Sequence, residues 1–208
     1  MPRQNRVTPF GDIIATPARG TLMGNRGILH DGEGRLGKAR WRGPLWITCL
    51  TAFKGRRRPL MAPHTYTELF FLDEAVAFAA GHRPCGECRR ADLDRFMACW
   101  QRAHGGERPL AADIDRVLHA ARVDSRTRRQ IRYRAPIDDL PVGTFVRLDG
   151  DDWAWLLLED RLMAYAPQGY HAPVTRPRRI DVEVLTPRPT VAALAAGYRP
   201  MLHESAKV

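Results

Sequence analysis

The stretch from Asp73 to Trp100, DEAVAFAAGHRPCGECRRADLDRFMACW, constrains the chain more than any other. It reads as helix, stop, loop, helix. Asp73 opens an alanine-rich run that ends at Gly81, with Pro84 shortly beyond, the punctuation of a short helix with a glycine stop. In RRADLDRFMACWQRAHGG, residues Leu93, Phe96, Met97 and Trp100 recur at the i, i+3, i+4, i+7 spacing of one apolar helix face. Cys85 and Cys88 therefore lie in a loop between two helices, close to the N-terminus of the second, where free amides and the helix dipole favour thiolates. A redox Cys-x-x-Cys normally opens a helix directly after a strand. Here a helix precedes it, so zinc is the expected use.

Two cysteines in a tight loop can grip a tetrahedral zinc, which needs two further ligands. Cys49 is the natural third, because LWITCLTAF reads as a buried strand ending at the basic turn KGRRRP. Apolar neighbours on both sides of Cys49 argue for a shielded, structural ligand. For the fourth ligand, His64 and Cys99 lead, with His82, His104 and His203 behind them. His64 precedes the second expected strand, TYTELFFL. Cys99 lies about 16 Å beyond Cys88 along a straight helix, too far for one ion, and is expected to be a small core residue beside Trp100.

The segment YTELFFLDEAVAFAAGHRPCGECRR resembles the zinc-binding, methyl-accepting N-terminal domain of the bacterial adaptive-response protein Ada, over about residues 45–92. The resemblance implies that Cys85 and Cys88 are the second of two zinc-binding cysteine pairs. It also implies contact with DNA and, for one thiolate, transfer of a methyl group from a DNA phosphotriester. The first pair is represented by Cys49 alone, with Phe53 where a second cysteine would stand.

The charge balance points the same way. The chain has 33 Lys and Arg against 23 Asp and Glu, a net charge of +10, which favours a polyanionic partner, most often nucleic acid. The basic residues cluster in FKGRRRP, RVDSRTRRQIRYR and RPRR. The residues expected to contact nucleic acid, DNA in the first instance, are Arg56, Arg57, Arg58, Arg83, Arg89, Arg90, Arg128, Arg129, Arg132 and Arg134.

Residues 1–44 read as β-hairpins or an extended arm, and GEGRLGK within them as a turn, since Ala39 replaces the Ser or Thr of a phosphate-binding loop. LAADIDRVLHAARV reads as a helix with Ile114, Val117, Leu118 and Ala121 on one side. Beyond it, strands broken at DGDD and EDR form a meander whose Trp153, Trp155, Tyr165 and Tyr170 are expected to pack rather than bind bases. LAAGYRPMLHESA repeats the small-residue helix, Gly and Arg-Pro of the first motif without its cysteines, and its tail is placed to bring His203 back to the metal.

The chain is accordingly expected to be an α+β protein of one compact body: a hairpin or extended arm at 1–44, a small zinc-binding αβ module at 45–108, and a helix plus β-rich part at 109–208. A cytoplasmic, zinc-containing DNA-binding protein linked to DNA damage or modification is the leading expectation, with no membrane segment. The alternatives are an enzyme on nucleic acid, through Cys49 as methyl acceptor or through Asp138, Asp139, Asp149, Asp151 and Asp152 as magnesium ligands, and a zinc-stabilised protein-interaction module.

Overall fold

A computed structural model describes residues 1–56 and 59–207, and the fold is α+β, with two six-stranded sheets and four helices among them. The N-terminal sheet takes β1 (Gln4–Val7), β2 (Ile13–Ala15), β3 (Leu22–Asn25), β4 (Ile47–Leu50), β5 (Leu69–Phe71) and β6 (Arg83–Pro84), in the order β2-β1-β5-β3-β4-β6. Two pairings are parallel, β1 with β5 and β4 with β6. Of the two readings of residues 1–44, the hairpin is the one found: the β1-β2 hairpin and β3 are woven into the same sheet as Cys49. GEGRLGK forms a turn, closed by an isolated bridge between His30 and Leu36 and capped by Asp31, which accepts from the amides of Glu33 and Arg35.

Helix α1 (Glu74–Ala79) is buried on every side. Asp73 caps it by accepting from the Val76 amide at 3.0 Å, and Gly81 ends it at φ +85°, a conformation that favours glycine. Helix α2 (Arg90–His104) buries Leu93, Phe96, Met97, Cys99 and Trp100, the face read from the sequence. Cys99 is a core residue, as expected. Helix α3 (Ala111–Arg122) departs from its reading. It buries Ile114, Asp115, Leu118 and Arg122, while Val117 is 48% exposed, because Asp115 and Arg122 reach inward to partners on other elements.

The C-terminal sheet holds β7 (Tyr133–Pro136), β8 (Phe145–Arg147), β9 (Trp155–Leu157), β10 (Arg161–Ala166), β11 (Gly169–Thr175) and β12 (Asp181–Val184), ordered β11-β10-β9-β8-β12-β7 and wholly antiparallel. Trp155, Tyr165 and Tyr170 are buried in it, and Trp153 is half exposed. The largest core runs between the sheets, with Val7, Leu22 and Phe71 from one and Phe145, Leu156 and Tyr170 from the other. A second core joins Phe78 to α2, α3 and α4 (Arg188–Ala195). The three expected stretches are therefore interlocked by shared cores.

The near-repeat is real in geometry. After each alanine helix the same two bonds form: Gly81 N to Phe78 O and His82 N to Ala77 O in the first, Gly197 N to Leu194 O and Tyr198 N to Ala193 O in the second. Thereafter the copies diverge. Arg83–Pro84 joins the sheet, whereas the tail after Pro200 runs to the start of α1, where Met201 N donates to Glu74 Oε2 and His203 N to Asp73 Oδ2. Among the described residues, no helix is long and apolar enough to cross a membrane.

Candidate metal centre

The site is built by the short parallel ladder between β4 and β6. Arg83 N donates to Trp46 O at 3.1 Å and Cys85 N to Thr48 O at 2.9 Å, so the chain leaving α1 is laid beside β4 with Cys85 next to Cys49. Side chains alternate along a strand. Thr48 is buried, and its Oγ1 accepts from Arg89 at 2.8 Å; its neighbour Cys49 lines a cleft. From Cys85 the chain turns at once, with Arg89 N bonded to Cys85 O at 3.2 Å, and that turn returns Cys88 to the same place.

The sulfurs of Cys49, Cys85 and Cys88 all lie within 4.8 Å of one another, and all four cysteines are free thiols. Two backbone amides point at the cluster: Glu87 N donates to Cys85 Sγ at 3.3 Å and Leu50 N to Cys88 Sγ at 3.4 Å. The thiols compete for protons. A hydrogen bond from Cys49, helped by the Cys88 and Glu87 amides and opposed by burial, pulls Cys85 down to about 5. Sharing its proton with Cys85, and then burial, push Cys49 far up; burial leads in raising Cys88. One thiolate is thus held between two thiols, an arrangement a cation relieves by replacing the protons. Three cysteines in this geometry are able to hold a metal ion.

The sulfurs line a cleft of about 840 Å³ whose other walls include Met23, Phe53, Tyr66 and Glu68. Glu68 is buried and accepts from Met61 N at 2.7 Å. Arg56 stands at the cleft, ion-paired with Glu87 and 5.6 Å from the centre of the Phe53 ring.

Among the described residues, none of those expected as fourth ligand joins the cluster. His64 is exposed on a turn at φ +62° and is not in the cluster. His203 caps the C-terminal turn, with Nδ1 accepting from Ser205 N, and its amide is committed to Asp73. His82 is buried between Arg26 and Trp46, His104 stacks on Trp100, and Cys99 lies in the helical core.

The arginines divide sharply. Arg83 and Arg89 are buried, not displayed to a partner: Arg83 grips Asp115, and Arg89 bonds Glu74, Asp92 and Thr48. Burying a guanidinium needs such partners, which the sequence alone did not reveal. Arg90 and Arg134 are exposed but paired, with Asp94 and Asp149, and Arg132 is paired with Glu183. Arg128 and Arg129 are exposed in the turn after α3. Arg57 and Arg58 lie outside the described residues.

The aspartates proposed for a nuclease do not converge. Asp138 accepts from Arg178 and the Arg179 amide, Asp149 from Arg134, and Asp151 from Trp153 N and Trp155 Nε1. Among the described residues the three cysteines are the one metal-competent group of three. No family model matches the chain, and no curated protein or solved structure matches it either.

Proposed function

We propose that the protein is a zinc-thiolate, nucleic-acid-binding protein in which Cys49, Cys85 and Cys88 hold the metal at the floor of an open cleft. The observation that carries this is the convergence of three free sulfurs within 4.8 Å. Zinc–thiolate bonds of about 2.3 Å in a tetrahedron require sulfurs about 3.8 Å apart, a spacing compatible with the cluster. The paired amides on Cys85 and Cys88 favour thiolates over thiols. Zinc is preferred because all-sulfur, four-coordinate sites are its commonest protein setting. DNA as the partner is supported by the net charge of +10, by Arg56 at the cleft and by the likeness to the Ada zinc domain.

Metal analysis of the purified protein and DNA binding across a salt series test this reading. About one zinc per chain is expected, with affinity for duplex or single-stranded DNA that falls steeply as salt rises. A metal-free, fully folded protein would remove the zinc; negligible DNA affinity at low salt would leave a protein-interaction module.

A second reading, that Cys49 accepts a methyl group, is favoured by one feature. Cys85 and Cys88 each accept a backbone N–H, which quenches a thiolate, whereas among the described residues no backbone amide donates to Cys49. Cys49 is half-buried and lines the cleft together with Cys85 and Cys88. In such a reaction its sulfur would attack the methyl carbon of a methyl phosphotriester. The carbon–oxygen bond would break with its electrons passing to the departing phosphodiester. Mass spectrometry after exposure to methyl-phosphotriester DNA tests it: one added methyl on Cys49 supports transfer, an unmodified Cys49 excludes it.

A further inference from the structure

A second cleft, of about 540 Å³ and lined by different residues from the first, contains Arg26, Arg40, Arg122, Arg128, Arg129 and Arg132 against a single carboxylate, Asp12. Two of these arginines are buried, Arg26 at 3% and Arg122 at 1% exposure. Neither makes an ion pair among the described residues. Arg26 donates to His82 Nε2, Gly11 O and Ala80 O, and Arg122 to Gly81 O, Pro44 O and His119 Nδ1, all of them neutral acceptors. Both guanidiniums lie over the ring of the buried Trp46, at 4.1 and 3.9 Å from its centre. Arg122 Nε is buried without a partner.

Of the three other buried arginines among the described residues, two are paired directly with acid. Arg83 has Asp115 and Arg89 has Glu74 and Asp92, while Arg176, held by carbonyls alone, sits beside Asp138 in charge. Arg26 and Arg122 are instead buried against the one Trp46 ring with neutral hydrogen-bond partners, and Asp12 and Asp115 act on them without forming an ion pair, so their burial is unfavourable until an anion arrives. Burial and then Arg40 pull Arg26 down to about 9, and burial and then Arg26 pull Arg122 to about 8, opposed by Asp12 and Asp115 respectively. The exposed Arg40, Arg128 and Arg129 at the same cleft have no ion-pair partner among the described residues, so they add charge that nothing in the protein cancels. A single carboxylate would leave most of this excess in place, whereas a phosphate carries more charge and matches the planar guanidinium fork.

The geometry points to a phosphate-binding site for a nucleotide unit in this cleft, independent of the metal, with Arg26 and Arg122 at its floor and Arg40, Arg128 and Arg129 at its rim. The partly exposed Trp41 in the cleft wall offers a ring face to the attached base. Such a phosphate comes either from a free nucleotide or from a nucleic-acid strand.

Calorimetric titration of the metal-loaded protein with pyrophosphate, adenosine monophosphate, adenosine and a short single-stranded oligonucleotide tests the site. Pyrophosphate and the monophosphate are expected to bind and adenosine not. The rim variant Arg40→Gln/Arg128→Gln/Arg129→Gln, which leaves the buried pair and the fold intact, should weaken the monophosphate by about tenfold or more. An oligonucleotide bound more tightly than the monophosphate, with a shallower salt slope in the rim variant, assigns the phosphate to a strand; equal affinities assign it to a free nucleotide. Silence of both phosphates on the wild type, or equal binding by the rim variant, overturns the site. Either result, with zinc in place and DNA still bound, spares the metal reading. Loss of zinc alone does the reverse.

Discussion

The Arg83 guanidinium grips both oxygens of Asp115, Nε to Oδ1 at 2.9 Å and NH2 to Oδ2 at 2.6 Å, and the two side chains are 5% and 6% exposed. This buried fork ties the residue two before Cys85 to the middle of α3. The metal loop is thereby fixed from behind by an element remote from it in sequence, while its sulfurs face the cleft.

Replacing Asp115 by Ala strands a buried cation. A loss of about 3–5 kcal/mol is expected, read by urea unfolding. The double replacement Arg83→Met/Asp115→Leu removes both charges and should recover most of that loss. Equal destabilisation by the single and double variants would show that the fork does not hold the loop.

Metal removal separates ligands from bystanders. Cys85→Ser or Cys88→Ser should abolish metal retention, since two sulfurs cannot hold the ion that three gather. His64→Ala and His203→Ala should retain it in full. Cys99→Ser should also keep the metal yet lose about 1–2 kcal/mol, because it buries a hydroxyl in the core formed by Phe96 and Trp100. Metal content by atomic spectrometry and unfolding midpoints read both effects.

Alkylation should be ordered. In metal-loaded protein treated with sub-stoichiometric iodoacetamide, Cys49 is expected to react first, because Cys85 and Cys88 each accept a backbone amide. Peptide mapping gives the order; adducts appearing first on Cys85 or Cys88 would refute it.

Alkaline pH should destabilise the protein through Tyr170 and Tyr198. Burial, followed by Asp73 for Tyr170 and Glu74 for Tyr198, pushes both hydroxyls above their ordinary value near 10. Their folded pKa is raised, so the stability they contribute is complete below pH 10 and is lost as pH climbs, when the unfolded chain ionises and the folded one does not. Tyr170→Phe should flatten the stability–pH curve above pH 10 by about 1.4 kcal/mol per unit. An unchanged slope would mean that Tyr170 ionises in the folded state.

The sequence by itself determined what depends on neighbours within a turn or two. The Asp73 cap, the Gly81 stop, the apolar face of α2 and the Cys-x-x-Cys loop all follow from periodicities that local backbone geometry enforces. It also brought Cys49 into the cluster, since strand alternation leaves few other sulfurs to choose from. Tertiary structure alone decided the rest. Residues 1–44 read as hairpins or an extended arm, and the β1-β2 hairpin is there, but β1 also finds a parallel partner at Phe70, 64 residues away from Arg6, and no local pattern announces such a pairing. Arg83 and Arg89 read as surface cations because a guanidinium looks the same in sequence whether it faces water or Asp115 and Glu74. Arg26 and Arg122, 96 positions apart, carried no signal until folding set both over Trp46. Burial decides whether a charge is a contact or a strut, and burial is a property of the assembled fold.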